Sequence, residues 1–129
     1  MKTTVLVVDD SLTVRQQVTA VLAAAGYDVV EACDGLAGLD ALRACPGISM
    51  ILCDVNMPRM DGLEFLEKLK GDSCCTAPVV MLTTNGTPDL IARAKRAGAR
   101  GWIVKPFQAR LLVGAVRRIV GDLAKSIAT

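Results

Sequence analysis

The sequence predicts an α/β domain in which five parallel strands form a sheet covered by helices on both faces. Three observations support this prediction. The chain of 129 residues has the length of one domain, short apolar runs rich in β-branched residues recur along it, and segments with helical apolar spacing separate those runs. Because parallel strands need crossover connections and bury both faces, this alternation favours a doubly wound sheet.

The apolar runs are bounded by turn residues and are predicted to be strands. They comprise residues 4–8 (TVLVV), 27–32 (YDVVEA), 50–53 (MILC), 78–82 (PVVML) and 101–104 (GWIV). Each run has four to six residues, which is a usual length for a strand in a globular protein.

The segments between these runs carry apolar residues at intervals of three and four. The first is the clearest, since its apolar residues at positions 14, 18, 21, 22 and 25 share one helical face and Gly26 follows as a stop signal. Further helices are predicted over residues 36–44, 63–70 and 90–97, and a long final helix over at least 112–123.

Composition excludes several classes of function. The net charge of +2, without a basic run, does not indicate a nucleic-acid partner. The absence of histidine removes Ser-His and Cys-His nucleophiles and the commonest zinc ligand. Five cysteines form an odd set without CxxC spacing, which indicates neither a disulfide framework nor a zinc site.

The sequence shows no export signal and no linker, repeat or low-complexity tract. The apolar run near the N-terminus is too short for a signal peptide, and no run approaches membrane-spanning length. We therefore expect a cytoplasmic protein with no membrane partner, consisting of one domain over residues 1–129 and lacking an output domain.

Polar residues follow four of the five predicted strands. In open α/β sheets, ligands bind beyond the carboxyl ends of the strands, so these positions form the candidate site. They are Asp9 and Asp10 after the first strand, Asp54 after the third, Thr83 and Thr84 after the fourth, and Lys105 after the fifth.

Three carboxylates at one edge of a sheet predict a cation. Each close pair would repel by about 4 kcal/mol at an effective dielectric constant of about 20. Mg²⁺ prefers oxygen ligands and keeps several waters. The predicted ligands are Asp9, Asp10 and Asp54, with one backbone carbonyl from the turn near Asn56.

Asp54 is the best candidate nucleophile, because it ends the central strand after a wholly apolar run. With Lys105 for charge neutralisation and Thr83 as a hydroxyl donor, the set suits phosphoryl transfer. Taken singly, such residues have simpler explanations, since an aspartate after a strand often caps a helix and a lone lysine is usually solvated. Their joint placement after four strands favours the functional interpretation.

Four segments resemble the receiver domains of response regulators in two-component signalling, especially the stand-alone chemotaxis regulators of the CheY type. They are "VLVVDDSLTVRQQV", "CDVNMPRMDGLEFL", "VVMLTT" and "GARGWIVKPF", and the resemblance runs from about residue 3 to about residue 123. It implies a flavodoxin-like fold with five helices and the strand order 2-1-3-4-5.

The resemblance also implies roles for the residues around a bound Mg²⁺. Asp54 matches the phospho-acceptor and Asp10 a direct metal ligand. Asp9 matches the acidic position that usually holds a metal-bound water, and Asn56 the residue whose backbone carbonyl binds the metal. Such proteins are not enzymes acting on external substrates, although they acquire and slowly lose their own phosphoryl group.

The remaining matches concern the switch between two signalling states. Thr83 matches the hydroxyl residue that moves toward the phosphoryl group, and Lys105 the lysine that pairs with it. The bond before Pro106 matches one that is commonly cis in this family. Trp102 matches the switch aromatic, which is more usually Tyr, Phe or His, and Thr84 stands where many members carry alanine. We expect these two departures to alter the lifetime of the phosphoryl group.

The resemblance implies a histidine kinase or histidine phosphotransfer protein as phosphodonor and a downstream target protein, in chemotaxis or a phosphorelay. The target surface would comprise the fourth helix, the fifth strand and the fifth helix. Basic residues there suit an acidic partner segment, although a solvated basic surface is the simpler explanation. They are Arg93, Lys95, Arg96, Arg110, Arg117 and Arg118, with Arg93, Arg96 and Arg117 as the predicted docking face.

Three alternatives remain at this stage. A flavin or nucleotide carrier would need a phosphate cradle where Asp9 and Asp10 stand, and those carboxylates repel phosphate. A hydrolase with an aspartyl nucleophile would want a second acid at position 56, which is asparagine. A receiver-like module that binds partners without phosphorylation is disfavoured, because every acceptor-site residue is present.

Overall fold

A computed structural model describes residues 3–71, 77–84 and 86–128, and of residues 122–128 the backbone alone. The strands are β1 (Thr4–Val8), β2 (Asp28–Ala32), β3 (Ile48–Cys53), β4 (Val79–Thr83) and β5 (Gly101–Val104). The helices are α1 (Leu12–Ala24), α2 (Gly35–Ala44), α3 (Gly62–Lys70), α4 (Pro88–Arg96) and α5 (Ala109–Ala128).

The five strands form one parallel sheet in the order β2-β1-β3-β4-β5. This confirms the predicted doubly wound, flavodoxin-like architecture and its strand order. The order reverses beside β1, so the tips of β1 and β3 lie next to each other at the switch point where ligands of such sheets bind.

Alternate residues of the central strands enter two separate cores. In β1, Leu6 and Val8 pack with Phe65 of α3 on the face covered by α2, α3 and α4. Val5 and Val7 pack on the opposite face with residues of α1 and α5, including Leu22. The strands are therefore buried on both sides, which explains why their sequences are continuous apolar runs.

The helix boundaries follow capping chemistry. Ser11, Asp34, Asp61 and Thr87 are the N-caps of α1 to α4, each accepting a hydrogen bond from a first-turn backbone N–H. Gly26 and Gly98 have φ of 95° and 107° just past α1 and α4, and Gly26 is the stop residue that the sequence predicts. In the part of the chain described, no helix combines the length and apolarity needed to cross a bilayer.

Two strand boundaries differ from the prediction in ways that affect the site. β3 begins at Ile48, because Ile48 itself is buried in the core ahead of the predicted run. β4 ends at Thr83, which pairs with Val104 of β5. Thr83 therefore belongs to the sheet and does not follow it.

Candidate functional site

Three carboxylates meet at the switch point. Asp9 and Asp10 follow β1 and Asp54 follows β3, and one ligand oxygen from each lies within 4.8 Å of the others. Asp9 and Asp54 are buried, whereas Asp10 is exposed. The structure thus brings together the three acids that the sequence suggested as a cation site.

Lys105 bridges two of these acids. Its Nζ donates a hydrogen bond to Asp9 Oδ2 at 2.7 Å and lies 3.4 Å from Asp54 Oδ2. The lysine side chain is only 12% exposed, so its charge acts in a partly desolvated site. Lys105 therefore offsets part of the repulsion between the two buried carboxylates.

The backbone around Asp9 is tied to the start of α1. Asp9 Oδ1 accepts a hydrogen bond from the Ser11 N–H at 2.9 Å, and Ser11 in turn caps the helix. Arg15 donates from Nη1 to the Asp9 carbonyl at 2.6 Å, and its Nε pairs with Glu31 of β2 at 3.2 Å. Sequence reasoning missed Arg15, whose only signal is its place one turn beyond the N-cap.

The Asp54 carboxylate is buried and is held by a backbone hydrogen bond. Its Oδ1 accepts a hydrogen bond from the Val55 N–H at 2.8 Å, and its side chain is 9% exposed. Burial is the main reason that the pKa of Asp54 is raised above its usual range, and the Asp9 charge adds to it while Lys105 opposes it. The carboxylate is therefore held in a fixed orientation with a pKa that neighbouring charge can change.

The residues after Asp54 form a tight connection into α3. Asp61 and Glu64 form a capping box, in which the Glu64 N–H donates to Asp61 Oδ1 at 2.8 Å and the Asp61 N–H donates to Glu64 Oε1 at 3.3 Å. A side chain at Gly62 would collide with the Asp54 carbonyl oxygen, and the Gly62 N–H donates to the Val55 carbonyl at 2.8 Å. Asn56, in this connection, is exposed.

The ends of β4 and β5 complete the site edge. Thr83 is fully buried, and its carbonyl accepts from the Lys105 N–H at 2.8 Å. The Lys105–Pro106 peptide bond is cis, as the resemblance implied. Thr84 is exposed and lines, with Lys105, Pro106 and Phe107, a groove of about 580 Å³ that reaches α1.

Trp102 lies in β5 opposite Met81 of β4. It is partly buried against the core on the α2–α4 face. Its indole Nε1 is buried and has no hydrogen-bond partner among the described residues.

The predicted basic face is divided between two grooves. Arg93 and Arg96 line a groove of about 460 Å³ between α3 and α4, where Arg93 lies 3.6 Å from Glu67 and Lys70 donates to the Arg96 carbonyl. Arg110 and Arg117 line a second groove, of about 700 Å³, between α1 and α5. Lys95 and Arg118 are exposed. Arg93 and Arg96 therefore belong to a different groove from Arg117.

Comparison with known proteins agrees with this fold. Residues 5–117 match the model of the response regulator receiver domain. The chain belongs to this family.

Several similar proteins are described as chemotaxis proteins. Chemotaxis protein CheY1 of Helicobacter pylori is 36% identical over 118 residues, covering 90% of this chain and 95% of that protein. Chemotaxis protein CheY4 of Vibrio cholerae is 38% identical with a TM-score of 0.87, covering 92% of this chain and 99% of that chain. CheY in the CheX–CheY–BeF3–Mg²⁺ complex of Borrelia burgdorferi is 28% identical with a TM-score of 0.84, covering 91% of this chain and 88% of that chain.

Proposed function

We propose that this receiver domain is a chemotaxis-type response regulator that accepts a phosphoryl group on Asp54 in a Mg²⁺-dependent reaction. The observation that carries the proposal is the meeting of Asp9, Asp10 and Asp54 with Lys105 at the switch point of the sheet. The phosphodonor is a histidine kinase or a histidine phosphotransfer protein, and the domain acts in the cytoplasm in chemotaxis or a phosphorelay.

The transfer forms one bond and breaks one. A carboxylate oxygen of Asp54 attacks the phosphorus of phosphohistidine, and the P–N bond breaks with its electron pair remaining on the imidazole nitrogen. The hydrogen bond from the Val55 N–H to Oδ1 fixes the carboxylate, which favours attack by the other oxygen, Oδ2. Lys105 lies beside that oxygen and can pair with the incoming phosphoryl group.

The donor set suits Mg²⁺. One ligand oxygen from each of the three carboxylates lies within 4.8 Å of the others, so a single ion that prefers oxygen ligands could be held among them. Asp10 would bind directly, Asp9 through a water, Asp54 through an oxygen and Asn56 through its backbone carbonyl. When bound, the ion neutralises charge that develops on the phosphoryl oxygens.

Phosphorylation would change the charge at the site by about −1.5 to −2 and add three acceptor oxygens. Thr83 and Lys105 are the residues that respond. Movement of Thr83 makes room for Trp102, which lies partly buried in the adjacent strand β5. This couples the site to the surface formed by α4, β5 and α5.

That surface is the proposed binding site of a downstream target, with Arg93 and Arg96 in the groove on its α4 side and Arg117 in the separate groove on its α5 side. The names of the relatives support a chemotaxis role, and the Borrelia complex shows a CheY protein with a partner, BeF3 and Mg²⁺. No turnover of an external substrate is proposed, because Asp54 itself receives the group. The alternative is a binding module that acts without phosphorylation.

The decisive experiment is incubation with acetyl phosphate and MgCl₂, followed by intact mass spectrometry and emission from Trp102, the only tryptophan of the chain. Wild type should gain the mass of one phosphoryl group and change its emission. Asp54→Asn should gain nothing. Asp61→Asn is the matched control, since asparagine also caps a helix and Asp61 lies outside the carboxylate cluster. A mass gain that survives in Asp54→Asn would refute the proposal.

A further inference from the structure

The connection between Asp54 and α3, residues 55–61, is attached to the rest of the molecule by a residue pair that the function has not yet explained. Arg59 Nε donates a hydrogen bond to Asp34 Oδ2 at 2.6 Å. Asp34 is the N-cap of α2 and precedes Arg59 by 25 residues in the chain. The connection is therefore fastened to α2 as well as to its own helix.

Asp34 is an unusual partner for a surface arginine, because it is only 3% exposed. Its Oδ1 accepts from the Ala37 N–H at 2.9 Å and caps α2, while Oδ2 accepts from Arg59. The hydrogen bond from Arg59 is the largest reason that the pKa of Asp34 is lowered. A buried carboxylate needs such a partner, so the pair is more than a chance contact between solvated side chains.

The backbone of the connection is shaped to make this contact. Arg59 has φ of 65°, a left-handed conformation that a non-glycine residue adopts at a cost. The next residue, Met60, is buried, and its carbonyl accepts from the Gly35 N–H at 3.2 Å. A side chain at Gly35 would collide with the Met60 side chain, so the two segments are in close contact. The strain at Arg59 is thus maintained by contacts with the start of α2.

We propose that the Arg59–Asp34 pair positions the connection of residues 55–61, and through it the Asn56 carbonyl, for divalent cation binding. This rests on the proposed function, in which Asn56 supplies a metal ligand. Asn56 is exposed and lies two residues after Asp54 and three before Arg59. Groups hydrogen-bonded directly to a metal ligand change metal affinity by about 10–100-fold when replaced; Arg59 acts on Asn56 through the connection, so we expect the lower end of that range.

The substitutions that test this remove the ion pair but keep a residue that suits the backbone at position 59 and the N-cap at position 34. Arg59→Gly deletes the guanidinium at a position where glycine relieves the left-handed strain. Asp34→Asn keeps a good N-cap and removes the charge. Arg43→Ala is the matched control, because it breaks an exposed Arg–Asp pair within α2, with Asp40 at 3.5 Å.

The measurement is isothermal titration calorimetry of each metal-free protein with MgCl₂, with melting temperatures recorded alongside. Arg59→Gly and Asp34→Asn should each weaken Mg²⁺ binding by about tenfold, and the double variant by no more than the worse single one. Arg43→Ala should bind as wild type does. A purely structural pair would lower the melting temperature without changing Mg²⁺ affinity.

The possible failures are distinguishable. Unchanged Mg²⁺ affinity in Arg59→Gly, with normal binding by wild type, overturns the positioning role and leaves the proposed function standing. Additive losses in the double variant also overturn it, since they show that the two side chains act separately. Absence of Mg²⁺ binding by wild type overturns both proposals together.

Discussion

Lys105 Nζ lies 2.7 Å from Asp9 Oδ2, joining residues that are 96 positions apart in the chain. The pair is almost wholly buried, with side-chain exposures of 12% and 2%. Because Lys105 Nζ also lies 3.4 Å from Asp54, one ammonium group offsets the repulsion between two carboxylates. The site is therefore built to hold positive charge, and the lysine supplies it in the metal-free protein.

Replacing Lys105 with methionine should destabilise the metal-free protein by about 3 kcal/mol, because it leaves a buried carboxylate without its partner. MgCl₂ should restore more stability to this variant than to wild type, since the ion takes over the missing charge. Urea unfolding with and without MgCl₂ measures both effects. Lys68→Met, at an exposed position of α3, is the control and should change stability little.

Replacing Asp54 with asparagine should raise the melting temperature of the metal-free protein. A carboxyl group whose pKa is raised by folding costs stability while it is ionised, and an amide of the same shape removes that cost. Adding MgCl₂ should stabilise wild type and have much less effect on Asp54→Asn. A lower melting temperature for the variant in chelator would contradict the charge repulsion inferred at this site.

The pH dependence follows from the same raised pKa. Above the raised pKa of folded Asp54 the ionised carboxylate destabilises the metal-free fold in full; this cost begins to fall as the pH drops through that raised value and is gone below the ordinary aspartate pKa of about 3.9. The stability difference between wild type and Asp54→Asn should therefore shrink on acidification. Mg²⁺ affinity of wild type should fall over the same range, because protons compete with the ion.

Gly62→Ala should destabilise the protein by about 3 kcal/mol, because the added methyl group meets the Asp54 carbonyl oxygen. It should also reduce phosphorylation by acetyl phosphate, since any relief of the collision moves Asp54. Gly114→Ala in α5 is the matched control, because a methyl group there has no neighbour within 4 Å. Alanine is a better helix former, so that variant should gain about 1 kcal/mol in urea unfolding.

The sequence predicts the sheet, its connections and the acids at its edge because these depend on local patterns. Apolar runs such as residues 4–8 and stop residues such as Gly26 carry their own signals. The juxtaposition of Asp9 with Asp54 then follows once β1 and β3 are neighbours. The roles of these residues in phosphorylation remain predictions.

Other features depend on pairings that no local pattern encodes. The contact of Arg59 with Asp34 and that of Arg15 with Glu31 each join distant segments, and an arginine in a turn or on a helix is usually solvated. The division of the basic residues between two grooves likewise depends on tertiary packing, which no local pattern encodes. Arg93 and Arg117 look alike in sequence, but α4 and α5 cover opposite faces of the sheet.

The two cores also bear on how the chain avoids misfolding. A strand that is mostly apolar on both faces, as β1 and β3 are, could slide by one position and still bury mostly apolar side chains. Such a shift would move Asp9 or Asp54 from the end of its strand into the sheet, or would place an apolar residue at the end of the strand instead. Asp9 and Asp54 thus help to fix the register of β1 and β3. Replacing them with apolar residues would weaken the preference of the sheet for a single register.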